Sequence, residues 1–178
     1  MPKVWPYALL AFLAVFTAQV HAIPSLAMGT QPSSQILSGG TLSVTVRILD
    51  TSGNLETSES SKTVTVTATG STLGGTTTAT ASGGVVTFSG LTLTGLASAA
   101  VLRFADNGAT HSAVDASAVQ VRGNLVVTTQ PSITVAGATM SNVVVQMQGT
   151  GGAVVSGFSG AVTATIQTDG HAGATASA

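Results

Sequence analysis

Along most of the chain, apolar and polar residues alternate one by one. In "TLSVTVRIL", Leu42, Val44, Val46 and Ile48 fall on one face, while Thr41, Ser43, Thr45 and Arg47 fall on the other. A period of two marks a strand with one side buried. The alternation returns in "TVTVTA" (Val64, Val66, Ala68), "VVTF" (Val86, Phe88), "AVLRF" (Ala100, Leu102, Phe104) and "AVQV" (Val119, Val121). β-Branched Val and Thr suit a pleated surface. Turn signals separate the runs: "DTSGN" at Asp50, "GG" at Gly74 and Gly83, and "DNG" at Asp106. No stretch after the first residues keeps helical spacing. The expected fold is all-β, with Val44, Val46, Val64, Val66, Val86, Phe88, Leu102, Phe104 and Val121 in its core.

The pattern breaks only at the start. Lys3 precedes "ALLAFLAVFTAQV", a thirteen-residue apolar run from Ala8 to Val20. That is short of the roughly 18 to 20 residues a spanning helix needs. Val20 and Ala22 then offer a small-residue exit. A charged start, an apolar centre and such an exit define a secretory signal peptide. Residues 1–22 are therefore expected to be a helical leader cleaved after Ala22, the alternative being a buried or membrane-anchoring helix. The mature chain has no second run of spanning length, so a secreted or cell-surface location is expected.

A longer period overlies the short one. "LAMGTQPSSQILSGG" from Leu26 and "LVVTTQPSITVAG" from Leu125 share Thr-Gln-Pro-Ser at an offset of 99. "VRILDTSGN" from Val46 matches "VQMQGTGGA" from Val145 at the same offset, and "VTVTA" from Val64 matches "VTATI" from Val162 at 98. Shared order with one-residue slips is the mark of repeated modules with variable turns. Short strands about every ten residues, in modules of nearly a hundred, point to an immunoglobulin-like β-sandwich. One module spans 23–123. A second starts at Asn124, and Ala178 corresponds to Thr80 of the first. Counterparts of "GVVTFSGLTL", "AAVLRF" and "ASAVQV" are missing, so 124–178 is expected to be the N-terminal half of a module whose sheet lacks its cover. The chain is expected to be the front end of a longer protein.

Two stretches carry a resemblance. "TTQPSITVAGATMSNVVVQMQGTGG" with "FSGAVTATI", and "GTTTATASGGVVTFSGLTLTG" in the first module, resemble bacterial immunoglobulin-like tandem repeats of large secreted and cell-surface, adhesin-like proteins. The resemblance covers nearly the whole mature chain, but its motifs are structural punctuation. Two departures stand out. The turn at Asp50 looks like the family's, yet Gly149 replaces the aspartate in the second module. The family's Tyr-bearing strand appears as "AAVLRF", without tyrosine.

Composition removes several chemistries. With the leader gone, four bases and six acids leave a net charge of −2, too little to steer nucleic acid. There is no cysteine, hence no disulfide, thiol nucleophile or thiolate metal site. Trp5 and Tyr7 lie in the leader, so Phe88, Phe104 and Phe158 are the remaining aromatics. Phe88 and Phe104 fall on the apolar phase, and Phe158 sits in the "SGFSG" loop, which leaves little for a ring-stacking site.

Candidate sites are few. His111 in "DNGATHS", between Asp106 and Asp115, suggests an acid–histidine–serine set; its place beside a turn predicts an ordinary surface-loop histidine. His171 is isolated, and the two histidines lack ligand spacing. Related sandwiches hold calcium between modules, and Asp50, Asn54, Asp106 and Asn107 offer oxygens. Ca²⁺ takes six to eight ligands, however, and Asp and Asn serve such turns by local backbone bonding. Glu56 and Glu59, in one loop, are expected to be solvated rather than a glycosidase pair. No residue is assigned as catalytic, cofactor-binding or metal-ligating, and no cofactor is expected. The expected function is a non-catalytic structural or adhesive spacer. Its partners would be neighbouring repeats of the same chain and cell-surface or matrix components. The alternatives are an accessory region of a larger secreted enzyme and a module binding a ligand through its loops.

Overall fold

The computed structural model describes residues 23–132, 135 and 137–165. The expected leader, residues 1–22, lies outside them, as do His171 and the end of the second "VTATI" run. Twelve strands occur among the described residues. They are β1 (Ser25–Thr30), β2 (Gln35–Leu37), β3 (Thr41–Leu49), β4 (Thr63–Thr69), β5 (Thr72–Gly74) and β6 (Thr78–Thr80), followed by β7 (Val85–Thr94), β8 (Ala97–Asp106), β9 (Val114–Asp115), β10 (Val119–Arg122), β11 (Asn124–Thr129) and β12 (Val144–Gln148).

The first ten strands form a β-sandwich. One sheet runs β1-β3-β7-β5, and the other runs β2-β10-β8-β4-β6 with β9 on β8. The opening segment is thus divided between sheets. β1 pairs antiparallel with β3, whereas β2 crosses over to pair parallel with β10. Alternation does the rest. Leu42, Val44, Val46 and Ile48 of β3 point inward beside Val86, Phe88, Leu91 and Leu93 of β7. Val64 and Val66 of β4, Leu102 and Phe104 of β8, and Val119 and Val121 of β10 meet them from the other sheet. All nine core positions expected from the alternation are buried. Thr and Ser fill the opposite phase, where their hydroxyls reach water or each other, as Thr45 does with Thr30 at 3.0 Å.

Strands β11 and β12 pair only with each other. Their register repeats that of β1 and β3. Ser25↔Leu49, Leu26↔Ile48, Ala27↔Arg47, Met28↔Val46 and Thr30↔Thr45 recur 99 residues on, from Asn124↔Gln148 to Thr129↔Val144, irregularity included. The turns recur as well. Asp50 N–H donates to Asn54 O at 2.9 Å, and Gly149 N–H donates to Ala153 O at 2.8 Å. Glu56 N–H donates to Ile48 O, and Val155 N–H to Met147 O. β11 and β12 of the second half therefore pair in the first half's register. What differs is cover. Among the described residues nothing packs over it as β7 packs beside β3, and Leu125, Val127 and Val143 stay 52%, 44% and 46% exposed.

Candidate functional site

The polar side chains converge at the pole of the sandwich where β1 begins and β8 ends. Asp106 closes β8, and its carboxylate is fully buried. Thr110 donates to it twice, from its backbone N–H (3.1 Å to Oδ1) and from Oγ1 (2.7 Å to Oδ2). His111 Nδ1 lies 3.0 Å from Oδ2, and the Lys62 ammonium lies at 3.7 Å. Lys62 also donates to Thr110 Oγ1 at 2.9 Å. Burial pushes this carboxyl up, but the hydrogen bonds from Thr110 and His111 outweigh it and hold the pKa at about 2.

His111 is not the surface-loop residue its neighbours in sequence imply. Only 5% of its side chain is exposed. The reason is tertiary: the loop after β3 brings Glu56 against the ring, and the next residue is tied to the segment that enters β1. Ser112 N–H donates to Pro24 O at 3.0 Å, and Leu26 N–H donates to Ser112 O at 2.9 Å. The ring's Nε2 is buried without a hydrogen bond, with Glu56 Oε2 at 3.7 Å. For acyl transfer a histidine must offer one nitrogen to a hydroxyl nucleophile at a solvent-reachable surface. Here Nδ1 faces both Asp106 and Thr110, while Nε2 is buried against the Glu56 carboxylate. The geometry clamps three loops together. Asp115, the other acid of the suggested set, is apart from it and pairs with Arg103 at 3.1 Å on the exposed sheet face.

The remaining candidate oxygens are engaged within the protein. Asp50 Oδ1 accepts the N–H groups of Ser52 and Asn54, both at 2.8 Å. The Asn54 bond is the main cause of that carboxyl's lowered pKa. Asn107 accepts from Thr65 at 2.7 Å and donates to Thr63 at 3.0 Å. Glu59 is half-buried rather than solvated, because Oε1 caps the N–H groups of Ser61 and Lys62. Those bonds, led by Ser61, lower its pKa. Glu56 is half-buried too, leaning on His111. Phe158 stays 38% exposed, its ring against Gly160.

The opposite pole carries a feature that sequence reasoning passed over. Ser38, between β2 and β3, is 4% exposed although it lies in a turn. Its N–H donates to Arg122 O at 2.7 Å, and its Oγ accepts Gly95 N–H at 3.0 Å. Its carbonyl accepts Thr150 N–H, from the hairpin of the second half, at 2.8 Å. Gly123 alone separates β10 from β11. Shallow hollows flank Arg122. One is lined by Leu96, Ala97, Ser98 and Gln120, the other by Gln35, Ile36 and Leu37. Neither presents a carboxylate, an imidazole or an aromatic ring. Among the described residues no helix is long and apolar enough to cross a membrane.

No family model matches the chain, and no curated protein is significantly similar to it.

Proposed function

We propose that the chain is an exported, non-catalytic spacer built of immunoglobulin-like sandwich modules in tandem. It holds a distal part of a cell-surface protein outward and contacts neighbouring repeats and surface or matrix components. The observation that carries this reading is the recurrence, 99 residues apart, of one strand register with its irregularity and its turn bonds. Recurrence of that kind belongs to modular arrays, whose stability and length come from stacking like units.

A spacer must resist tension along the chain, and the placement of β2 and β10 supports that role. The two strands are parallel, one near the start of the module and one at its end. Tension pulls them in opposite directions along their length, so their bonds are loaded together rather than opened in turn. Gln120 N–H to Ser34 O (2.8 Å) and Ser38 N–H to Arg122 O (2.7 Å) bracket the pair.

Single-molecule pulling on residues 23–178 tests the reading. The first module should yield in one step at high force and release roughly 30 nm of chain, from about 3.3 Å or more per extended residue. Gln120→Pro removes a donor that faces β2 and should lower that force. Gradual lengthening at low force in the unaltered chain would contradict the spacer reading.

A further inference from the structure

Gly149 stands where the first module has Asp50, and its surroundings explain why. A β-carbon on Gly149 would lie 2.3 Å from the carbonyl oxygen of Ser38 and 3.1 Å from that carbonyl's carbon. Both are backbone atoms, so no side chain fits without moving one half of the molecule off the other. The same carbonyl accepts the N–H of Thr150, the next residue. In the first module the corresponding turn is closed from within, where the Asp50 carboxylate takes the N–H groups of Ser52 and Asn54. The two turns share their backbone bonds but differ in what caps them.

We propose that this turn is the docking element between successive modules, and that the residue at its first position decides whether docking occurs. Glycine leaves the turn open to the Ser38 carbonyl of the preceding module; aspartate fills the place and caps the turn itself. The inference rests on the tandem-repeat reading and adds to it a partner surface and a selection rule. The matching surface is the turn at Ser38: its amide donates to Arg122 O and its hydroxyl accepts Gly95 N–H, both within the first module, which leaves its carbonyl to accept Thr150 N–H across the joint. A buried serine with every group satisfied is a fixed point rather than a loose loop.

Gly123 makes the joint close as well as directed. A β-carbon there would lie 2.5 Å from Met147 Sδ and 3.3 Å from Gln148 O. Met147 thus covers the one residue between the strands, and the connection cannot swivel while β12 stays seated. By the same rule the Asp50 turn of the first module accepts no such neighbour.

The absence of cysteine permits a direct test on residues 23–178. Cysteines placed at the exposed Thr67 and Ser156 carry spin labels, one on each half, and pulsed electron resonance reads the distance between them. The unaltered joint should give one narrow distribution and a slowly exchanging Thr150 amide. Gly149→Asp should broaden the distribution and abolish that protection while the amides of Val126 and Gln146, which face each other across β11 and β12, exchange as in the unaltered chain. Should Gly149→Asp unfold the hairpin, Thr150→Pro takes its place. It removes the donor at the first position of a short helical turn, where proline is tolerated, and should broaden the distribution likewise. A broad distribution in the unaltered chain, or a narrow one in the variant whose hairpin stays folded, overturns the proposal. The pulling experiment reads something different. A fixed joint in a chain that yields at low force leaves the docking rule standing and removes the spacer, and a loose joint in a force-bearing chain does the reverse.

Discussion

Phe88 of β7 and Phe104 of β8 meet across the middle of the sandwich, their ring centroids 5.3 Å apart and their planes tilted by 54°. Each comes from a different sheet, so this contact joins the two layers at the centre of the core. Tilted pairs of this kind add to the burial of the rings themselves. Phe88→Ala leaves Phe104 facing a cavity and should cost roughly 3 to 5 kcal/mol. Urea denaturation of residues 23–123 checks this. A loss below about 1 kcal/mol, which surface substitutions commonly give, would mean that Phe88 does not bridge the sheets.

Asp106 makes the stability of the same module depend on pH. Its carboxyl titrates at about 2 in the folded protein, against a usual 3.8. A depressed carboxyl stabilises the fold above its unfolded pKa, and the contribution is lost as pH falls through the folded value. Asp106→Asn should therefore destabilise the module at pH 5 by about 1.5 to 3 kcal/mol, the range for hydrogen bonds to a charged group. The gap between variant and parent should close as pH falls from about 4 to 2. Asp50 and Glu59 also have lowered pKa values, but they titrate in both proteins and cancel in the comparison. A gap that stays constant over this range would show that the Asp106 charge contributes nothing.

If the chain is exported as proposed, residues 1–22 should be removed. Mass spectrometry of the protein recovered outside the cell should find Ile23 as its first residue. An intact Met1 terminus on protein retained in the cytosol would contradict export.

The strands and their phase were legible because burial on one face writes itself into every second residue. Val44, Val46, Val64 and Val66 needed no partner to be assigned inward. The pairing of β11 with β12 was legible for a similar reason, since the offset of 99 between the two halves carries the register of β1 and β3 with it. Three features were not. β5 hides in Thr72–Gly74, whose "GG" neighbour reads as a turn, because three residues carry too little alternation to show. His111 reads as a loop residue because its burial depends on Glu56, which reaches it from far back along the chain, and on the bond that ties Ser112 to Pro24. The joint left a trace in plain view, glycine at 149 against aspartate at 50. Its meaning required the Ser38 carbonyl, which nothing in the local pattern places there.

As a second copy of the same module, residues 124–178 would bury the open face of β12 beneath counterparts of the strands in residues 81–123. Joining a copy of residues 81–123 after Ala178 supplies those strands from the first module itself. Amide hydrogen exchange across residues 143–147, compared with residues 44–48, measures the result. In the 178-residue chain, residues 143–147 should exchange far faster than residues 44–48, because their apolar face is open. With the added strands their protection should rise toward that of residues 44–48 and be lost in one cooperative transition. Protection equal to that of residues 44–48 before the addition, or unchanged after it, would contradict the claim that the two halves are one repeated module.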